Sequence, residues 1–304
     1  MRQALINTLV NLAVTDKDLY LLTADMGFGL VEQFAARFPE QYINVGVAEQ
    51  NMVGVAAGLA LEGKKVFCYS ISNFPTMRCL EQIRNDICYH NLPVCIVSGG
   101  AGLWYGALGM SHWAVEDIAV MRCLPNMAVV SPCSEQETGQ LVSDIYRRKH
   151  PCYMRMSRAG GYVPSSWSYF SGATVILDCP SPDVVIIATG GKMLDNAVCT
   201  VEAIQKQGIG ARLLSIHTIK PLDCDAIMDS VAGPRLVITI EEHSRIGGLG
   251  SAVAEVLAEL EHHPPLIRMG TDDRYPDTAT DYEGYLAMHH LDTDSIIKAI
   301  IDNL

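Results

Sequence analysis

Short apolar runs recur through the first half of the chain, separated by stretches in which apolar residues return every three or four positions. Leu19-Tyr20-Leu21-Leu22-Thr23, Lys65-Val66-Phe67-Cys68-Tyr69, Pro93-Val94-Cys95-Ile96-Val97 and the runs at 127–130 and 152–156 are brief and almost wholly apolar. Such runs predict strands covered on both faces rather than strands with one face in water. Residues 2–14, the segment following Glu49, and stretches at about 76–90, 115–124 and 134–149 predict the intervening helices. A Gly-, Ser- and Pro-rich stretch at about 159–182 interrupts the alternation and reads as a connector. Beyond it, the run 183–190 opens a second series, with a helix at 196–207, strands at 211–216 and 235–241, and a helix at 250–260. Strands alternating with helices predict mostly parallel sheets with helices on both sides. The expected fold is α/β with two doubly wound domains: residues 1–165, a linker at 166–182, and a smaller domain over 183–304.

Composition narrows the function classes. The chain has 304 residues, 22 Lys and Arg against 34 Asp and Glu, and a formal net charge of −12. With no basic tract to offset that charge, nucleic acid is not expected as a partner. Hydrophobic residues make up 49% of the chain. No stretch offers the roughly 20 uninterrupted apolar residues of a membrane span, so the excess reads as core plus a large subunit interface. Ten cysteines lie singly in apolar segments, without Cys-x-x-Cys pairs or zinc-like spacing, and read as free thiols in a reducing compartment. Met1-Arg2-Gln3 starts no basic-then-apolar signal segment, and a cytoplasmic location is expected.

Candidate chemistry starts at residues 46–60, Gly46-Val47-Ala48-Glu49-Gln50-Asn51-Met52 followed by a helix of mostly small residues. One carboxylate, Glu49, stands at the mouth of a helix whose backbone is built for close packing. An acid also suits a helix start for dipole reasons alone. His112 ends Gly109-Met110-Ser111-His112, in a Gly-rich loop after a strand, where α/β ligand sites gather and where an imidazole suits proton transfer near neutrality.

Taken in order, the motifs resemble the transketolase family, its pyrimidine-binding domain followed by its C-terminal domain, nearly end to end. The resemblance rests on Thr23-Ala24-Asp25, the Glu49 segment, Tyr69-Ser70 to Phe74 with Glu81-Gln82-Ile83-Arg84, the His112 segment, Leu124-Pro125-Asn126-Met127, Met156-Ser157-Arg158, and Glu241-Glu242-His243 with Gly247-Gly248-Leu249-Gly250-Ser251. It implies that Glu49 hydrogen-bonds the aminopyrimidine of thiamine diphosphate from an apolar cleft, and that sharing this proton activates the cofactor. It implies that Phe74 packs on the pyrimidine, that Asp25 lies near it (an acid there also suits a turn cap), and that His112 faces the reactive carbon and the substrate oxygens. Arg158 and Arg2 become candidate grips for a substrate phosphate, with Arg155 a possible substitute. The Gly-rich run at 241–251 is expected to serve packing and dimerisation rather than to hold phosphate.

The departures are specific. The resemblance gives an Asp at Leu108, a His at about Gly100 and a Ser at Gly29, while Trp104 and Tyr105 occupy the altered loop. A substrate with fewer hydroxyl contacts, or a bulkier apolar group, is expected. No Gly-Asp-Gly segment for the diphosphate and its Mg2+ is present. The resemblance therefore implies one half of an enzyme: a C-terminal subunit that holds no metal itself and joins a separately encoded N-terminal subunit carrying the diphosphate and Mg2+, as α2β2. Its reaction would move a two-carbon ketol unit from a ketose, sugar or sugar phosphate, to an aldehyde. Two other readings stay open: a 1-deoxyxylulose-5-phosphate-synthase-like or 2-oxo acid decarboxylating acyl transferase subunit, and a non-catalytic partner of a complete transketolase.

Overall fold

The protein is described here by a computed structural model covering residues 1–71, 73–161 and 172–304. Its strands are β1 (Leu19–Thr23), β2 (Tyr42–Asn44), β3 (Lys65–Ile71), β4 (Val94–Gly99), β5 (Ala128–Val130), β6 (Cys152–Met156), β7 (Ala173–Leu177), β8 (Val184–Ala188), β9 (Ala211–Ile216), β10 (Thr218–Lys220), β11 (Leu236–Ser244) and β12 (Leu266–Thr271). They form a seven-stranded sheet, β10-β5-β6-β4-β3-β1-β2, and a five-stranded sheet, β12-β11-β8-β9-β7. All pairs are parallel except β10 with β5 and β7 with β9, which are antiparallel edge pairs. The two mostly parallel α/β sheets are those expected from the apolar runs.

Helices cover both faces of the larger sheet. Leu5, Ile6, Leu9 and Val10 of helix Arg2–Ala13 pack with Phe34, Leu141 and Val142 on one side. On the other, Met52, Val53, Ala56, Ala57 and Ala60 of helix Glu49–Leu61 pack with Ile83 and Ile87, and the small alanines let that helix lie close to the strands. The outer face of the same helix is open: a Cβ at Gly54 or Gly58 would meet nothing within 4 Å. Among the described residues no helix is long and apolar enough to cross a membrane.

Two expectations are corrected, and part of a third falls outside the described residues. The stretch read as a connector contains β7, whose Thr174, Val175 and Ile176 favour an extended backbone but whose edge position leaves it half exposed and flanked by turn residues. Residues 166–171 of the expected linker and the boundary at 165 lie outside the described residues. The helix expected at 76–90 is instead turns to Cys79, one α turn at Leu80–Gln82 and a wider π turn at Ile83–Cys88.

The second half is bolted to the first. β10 donates an edge strand to the larger sheet, and one apolar cluster runs from Met52 and Ile96 to Val185, Leu214 and Leu249. Arg155, on β6, is wholly buried and forms an ion pair with Asp117 at 2.8 Å. Its Nη2 donates to the carbonyls of Ala114 (3.0 Å) and, across the halves, Glu242 (2.7 Å). Tyr153 donates its hydroxyl to the same Asp117 carboxylate at 2.5 Å. Burial opposes the Arg155 charge, but Asp117, Tyr153 and Glu242 together outweigh it and hold the guanidinium more firmly protonated than usual. Arg155 is thus no substitute for Arg158 at a substrate. Arg155→Met, which strands the buried Asp117 carboxylate and two carbonyls, is expected to lower unfolding stability by about 3–5 kcal/mol in urea titration.

Candidate active site

In a parallel sheet the loops leaving the carboxyl ends of the strands open on one edge, where α/β ligand sites form. Glu49 stands there as the first residue of helix Glu49–Leu61 and is 2% exposed. Its Oε1 accepts from the Ser70 hydroxyl at the end of β3 (3.2 Å), and its Oε2 accepts from Arg78 Nη1 (2.6 Å). Arg78 also caps the Phe74 ring, with Cζ 4.5 Å from the ring centre. The expected apolar cleft is therefore corrected: half of the Glu49 carboxylate meets a guanidinium. Neither Arg78 nor the role of Ser70 was read from the sequence. The four-residue interval from Phe74 to Arg78, which returns a side chain to the same side of a turn, was the available signal.

The structure brings His112 to this group. Its ring lies 5.5 Å from the Phe74 ring and 6.0 Å from that of Tyr105, both edge-on, and Nδ1 is 3.0 Å from the Ser111 hydroxyl. Asn73 donates to the Ser111 carbonyl at 3.2 Å, which ties the Phe74 turn to the His112 loop. Gly100 has φ +77°, and a Cβ there would lie 2.2 Å from the Tyr105 ring. Tyr105 thus occupies the space that a side chain at position 100 would need. Arg2 begins the first helix, with its guanidinium 5.4 Å from the Trp104 ring and near enough to Tyr69 to oppose the upward push of burial on that hydroxyl.

The remaining candidates sit at the same edge but apart from Glu49. Asp25 follows β1 with a left-handed φ of 53°. Its Oδ1 accepts from Asn44 Nδ2 (3.1 Å), and its N–H donates to Asn44 Oδ1 (2.9 Å). Asn44 Oδ1 also accepts from the Gly46 N–H, so Asp25 braces the loop leading into Glu49. Arg158 follows β6, half exposed, 3.4 Å from Glu283 and over the Tyr282 ring at 5.2 Å.

The run 241–251 has a structural job. Glu241 accepts the N–H groups of Leu249 and Gly250, both at 2.7 Å, so its carboxylate fills the helix N-terminus where an anion would sit. Burial pushes that carboxyl up to about 7. Glu242 accepts from the Leu103 N–H (3.1 Å) and the Tyr282 hydroxyl (2.6 Å), anchoring the loop that leads to His112. His243 Nε2 accepts from the Ala119 N–H at 3.2 Å, which leaves Nδ1–H to donate to the Ser244 carbonyl at 2.8 Å.

Residues 1–161 match the transketolase pyrimidine-binding domain and residues 173–296 the transketolase C-terminal domain. The chain belongs to the transketolase family. It is 39% identical to a Methanocaldococcus jannaschii protein described as a transketolase C-terminal section, over 100% of this chain and 96% of that one. It is 36% identical to one subunit of the apulose-4-phosphate transketolase of Phocaeicola vulgatus, over 99% and 96%. A solved split-gene transketolase, described as an inactive beta4 tetramer, superposes with a TM-score of 0.87 at 36% identity, covering 100% of this chain and 97% of that one.

Burial pushes His243 down from 6.5 to about 4, so between those values the unfolded chain binds the extra proton. The imidazole's contribution is complete above pH 6.5 and is lost as the pH falls towards 4. His243→Gln, whose side-chain oxygen accepts the Ala119 N–H without titrating, is expected to lose less stability than the wild type on acidification. The two should converge by up to about 3 kcal/mol when denaturant midpoints are compared at pH 7 and pH 4.

Proposed function

We propose that this chain is the C-terminal subunit of a split, thiamine-diphosphate-dependent transketolase that moves a two-carbon ketol unit from a ketose to an aldehyde. The observation that carries the reading is the Glu49–Arg78–Phe74 arrangement. A buried carboxylate faces a half-buried phenyl ring, and a flat, cationic N–H donor already fits between them. An aminopyrimidine asks for the same two partners, so the residues present fit the group.

Bound thiamine diphosphate supplies an electron sink that lets the bond beside a ketose carbonyl break. Glu49, kept in place by Ser70, hydrogen-bonds the pyrimidine and shares a proton with it. Phe74 stacks on that ring. His112, beside Phe74, exchanges a proton with the substrate oxygens as they gain or lose charge. Arg158 and Arg2 hold the anionic end of a phosphorylated substrate, and Asp25 sets the loop that aims Glu49.

The diphosphate and Mg2+ belong, in this reading, to a separately encoded N-terminal subunit, in an α2β2 assembly. Phe28, Val47, Met77, Leu108 and Met110 support it: each is a large apolar side chain left about half or more exposed on a loop of the site edge. The open Gly54 and Gly58 face adds a surface on which a second backbone could pack closely. That the solved split-gene relative is inactive as a beta4 tetramer agrees with a site completed by another subunit. A cytoplasmic setting completes the reading, supported by ten free thiols.

Calorimetry with thiamine diphosphate and Mg2+ tests this directly. Tight binding is expected for the complex with the N-terminal subunit and not for this chain alone. Tight binding by the chain alone would overturn the half-site reading, and none by the complex would overturn the cofactor assignment. In the complex, Glu49→Gln is expected to cut kcat at least a hundredfold with assembly unchanged by light scattering. Arg158→Ala is expected to raise KM for a phosphorylated ketose about tenfold with little change in kcat, measured by initial rates.

A further inference from the structure

The Arg78 guanidinium makes both contacts that the cofactor ring would make. Its Nη1 donates to Glu49 Oε2 at 2.6 Å, and its plane covers Phe74 with Cζ at 4.5 Å. A carboxylate oxygen can accept from two donors, but two flat groups cannot lie on the same face of one phenyl ring, and the guanidinium already covers that face beside Glu49. Cofactor and Arg78 therefore compete for the same place.

The surroundings suit a side chain that leaves. Arg78 is 45% exposed along its side chain whereas Glu49 is 1%, so the guanidinium has a way out to solvent and the carboxylate has none. Gln50 Nε2 donates to the Arg78 carbonyl at 3.1 Å, which pins the backbone while the side chain rotates. Ser70 holds the other Glu49 oxygen at 3.2 Å, so the carboxylate keeps its orientation once Arg78 has gone. A guanidinium imitates an aminopyrimidine in ways an ammonium does not: it is planar, presents N–H groups in that plane, and stacks on a phenyl face.

We propose that Arg78 is a displaceable stand-in for the pyrimidine, a latch that keeps the buried Glu49 partnered in the free subunit and swings out when the cofactor arrives. The proposal rests on the reading of Glu49 and Phe74 as the pyrimidine pocket. In the free subunit the latch gives a buried carboxylate the positive partner that Ser70 cannot supply. In the assembled enzyme it costs part of the cofactor's binding energy.

The test compares wild type, Arg78→Ala and Arg78→Lys. Melting temperatures are read on the free subunit, and thiamine diphosphate affinity is read by calorimetry on the complex with Mg2+. Arg78→Ala is expected to lower the melting temperature of the free subunit yet tighten cofactor binding by the complex about tenfold. Arg78→Lys should fall between, because it keeps the charge and loses the stacking plane. In a Glu49→Gln background, loss of Arg78 should no longer lower the melting temperature. Binding that is weaker or unchanged in Arg78→Ala overturns the latch and leaves the functional reading intact. If Arg78→Ala does not fold, an affinity of Arg78→Lys at or below wild type overturns it equally. No binding by the wild-type complex overturns both.

Discussion

Arg155 is the point at which the two halves of the chain are held in one register. Its guanidinium ties β6 to Asp117 and reaches the Glu242 backbone on β11 in the second half. Glu242 in turn holds the start of the His112 loop through the Leu103 N–H, and the Tyr282 hydroxyl through its other oxygen. Trp113 closes that loop by donating to the Gly106 carbonyl at 3.1 Å and standing edge-on to Tyr285. The position of His112 beside Phe74 is therefore decided partly by residues of the second half. A buried charge pair is a weak source of net stability, but once both partners are buried neither can be moved cheaply. That rigidity is what a site on loops needs.

The same arrangement shows what fills the helix start behind a Gly-rich run here. A helix N-terminus with a Gly turn is a ready anion site, and the run 241–251 has that form. Glu241 occupies it from within the chain, accepting two backbone N–H groups. His243, neutral and fixed in one tautomer by Ala119 and Ser244, adds a further tie between the halves.

Much of the architecture was legible because apolar runs and helical periodicity report burial, and burial on both faces of a strand leaves few alternatives. What escaped was set by contacts distant in sequence. β7 has the residues of a strand, but an edge strand exposes enough of them to resemble a loop between glycines and prolines. β10 is only Thr218–Lys220, too short to carry a period, and exists because β5 offers a free edge. At the site, Glu49, Phe74 and His112 could be picked out one by one from their motifs. For Arg78 the four-residue interval signals only nearness to Phe74, and its pairing with Glu49 is a 29-residue reach that no local pattern encodes. Arg155 misled for the opposite reason: near the end of a strand it looks like a substrate arginine, and only its fully buried surroundings show that its charge is already matched.

The substrate side of the site follows the same logic of occupied space. Position 100 is glycine with a left-handed backbone, and the Tyr105 ring lies where a side chain would start. A polar side chain at 100 and an aromatic at 105 are thus mutually exclusive solutions for one corner of the site. This chain takes the aromatic one, and Leu108, exposed beside it, extends the apolar character of the loop. Trp104 meanwhile draws the Arg2 guanidinium to within 5.4 Å of its ring, next to Tyr69 and Tyr105. The corner therefore combines flat apolar walls with one fixed cation. Under the function proposed above, such a corner would meet a substrate with shape and one positive charge rather than with a row of hydroxyl partners, so the 100–112 loop is where that proposal locates substrate choice.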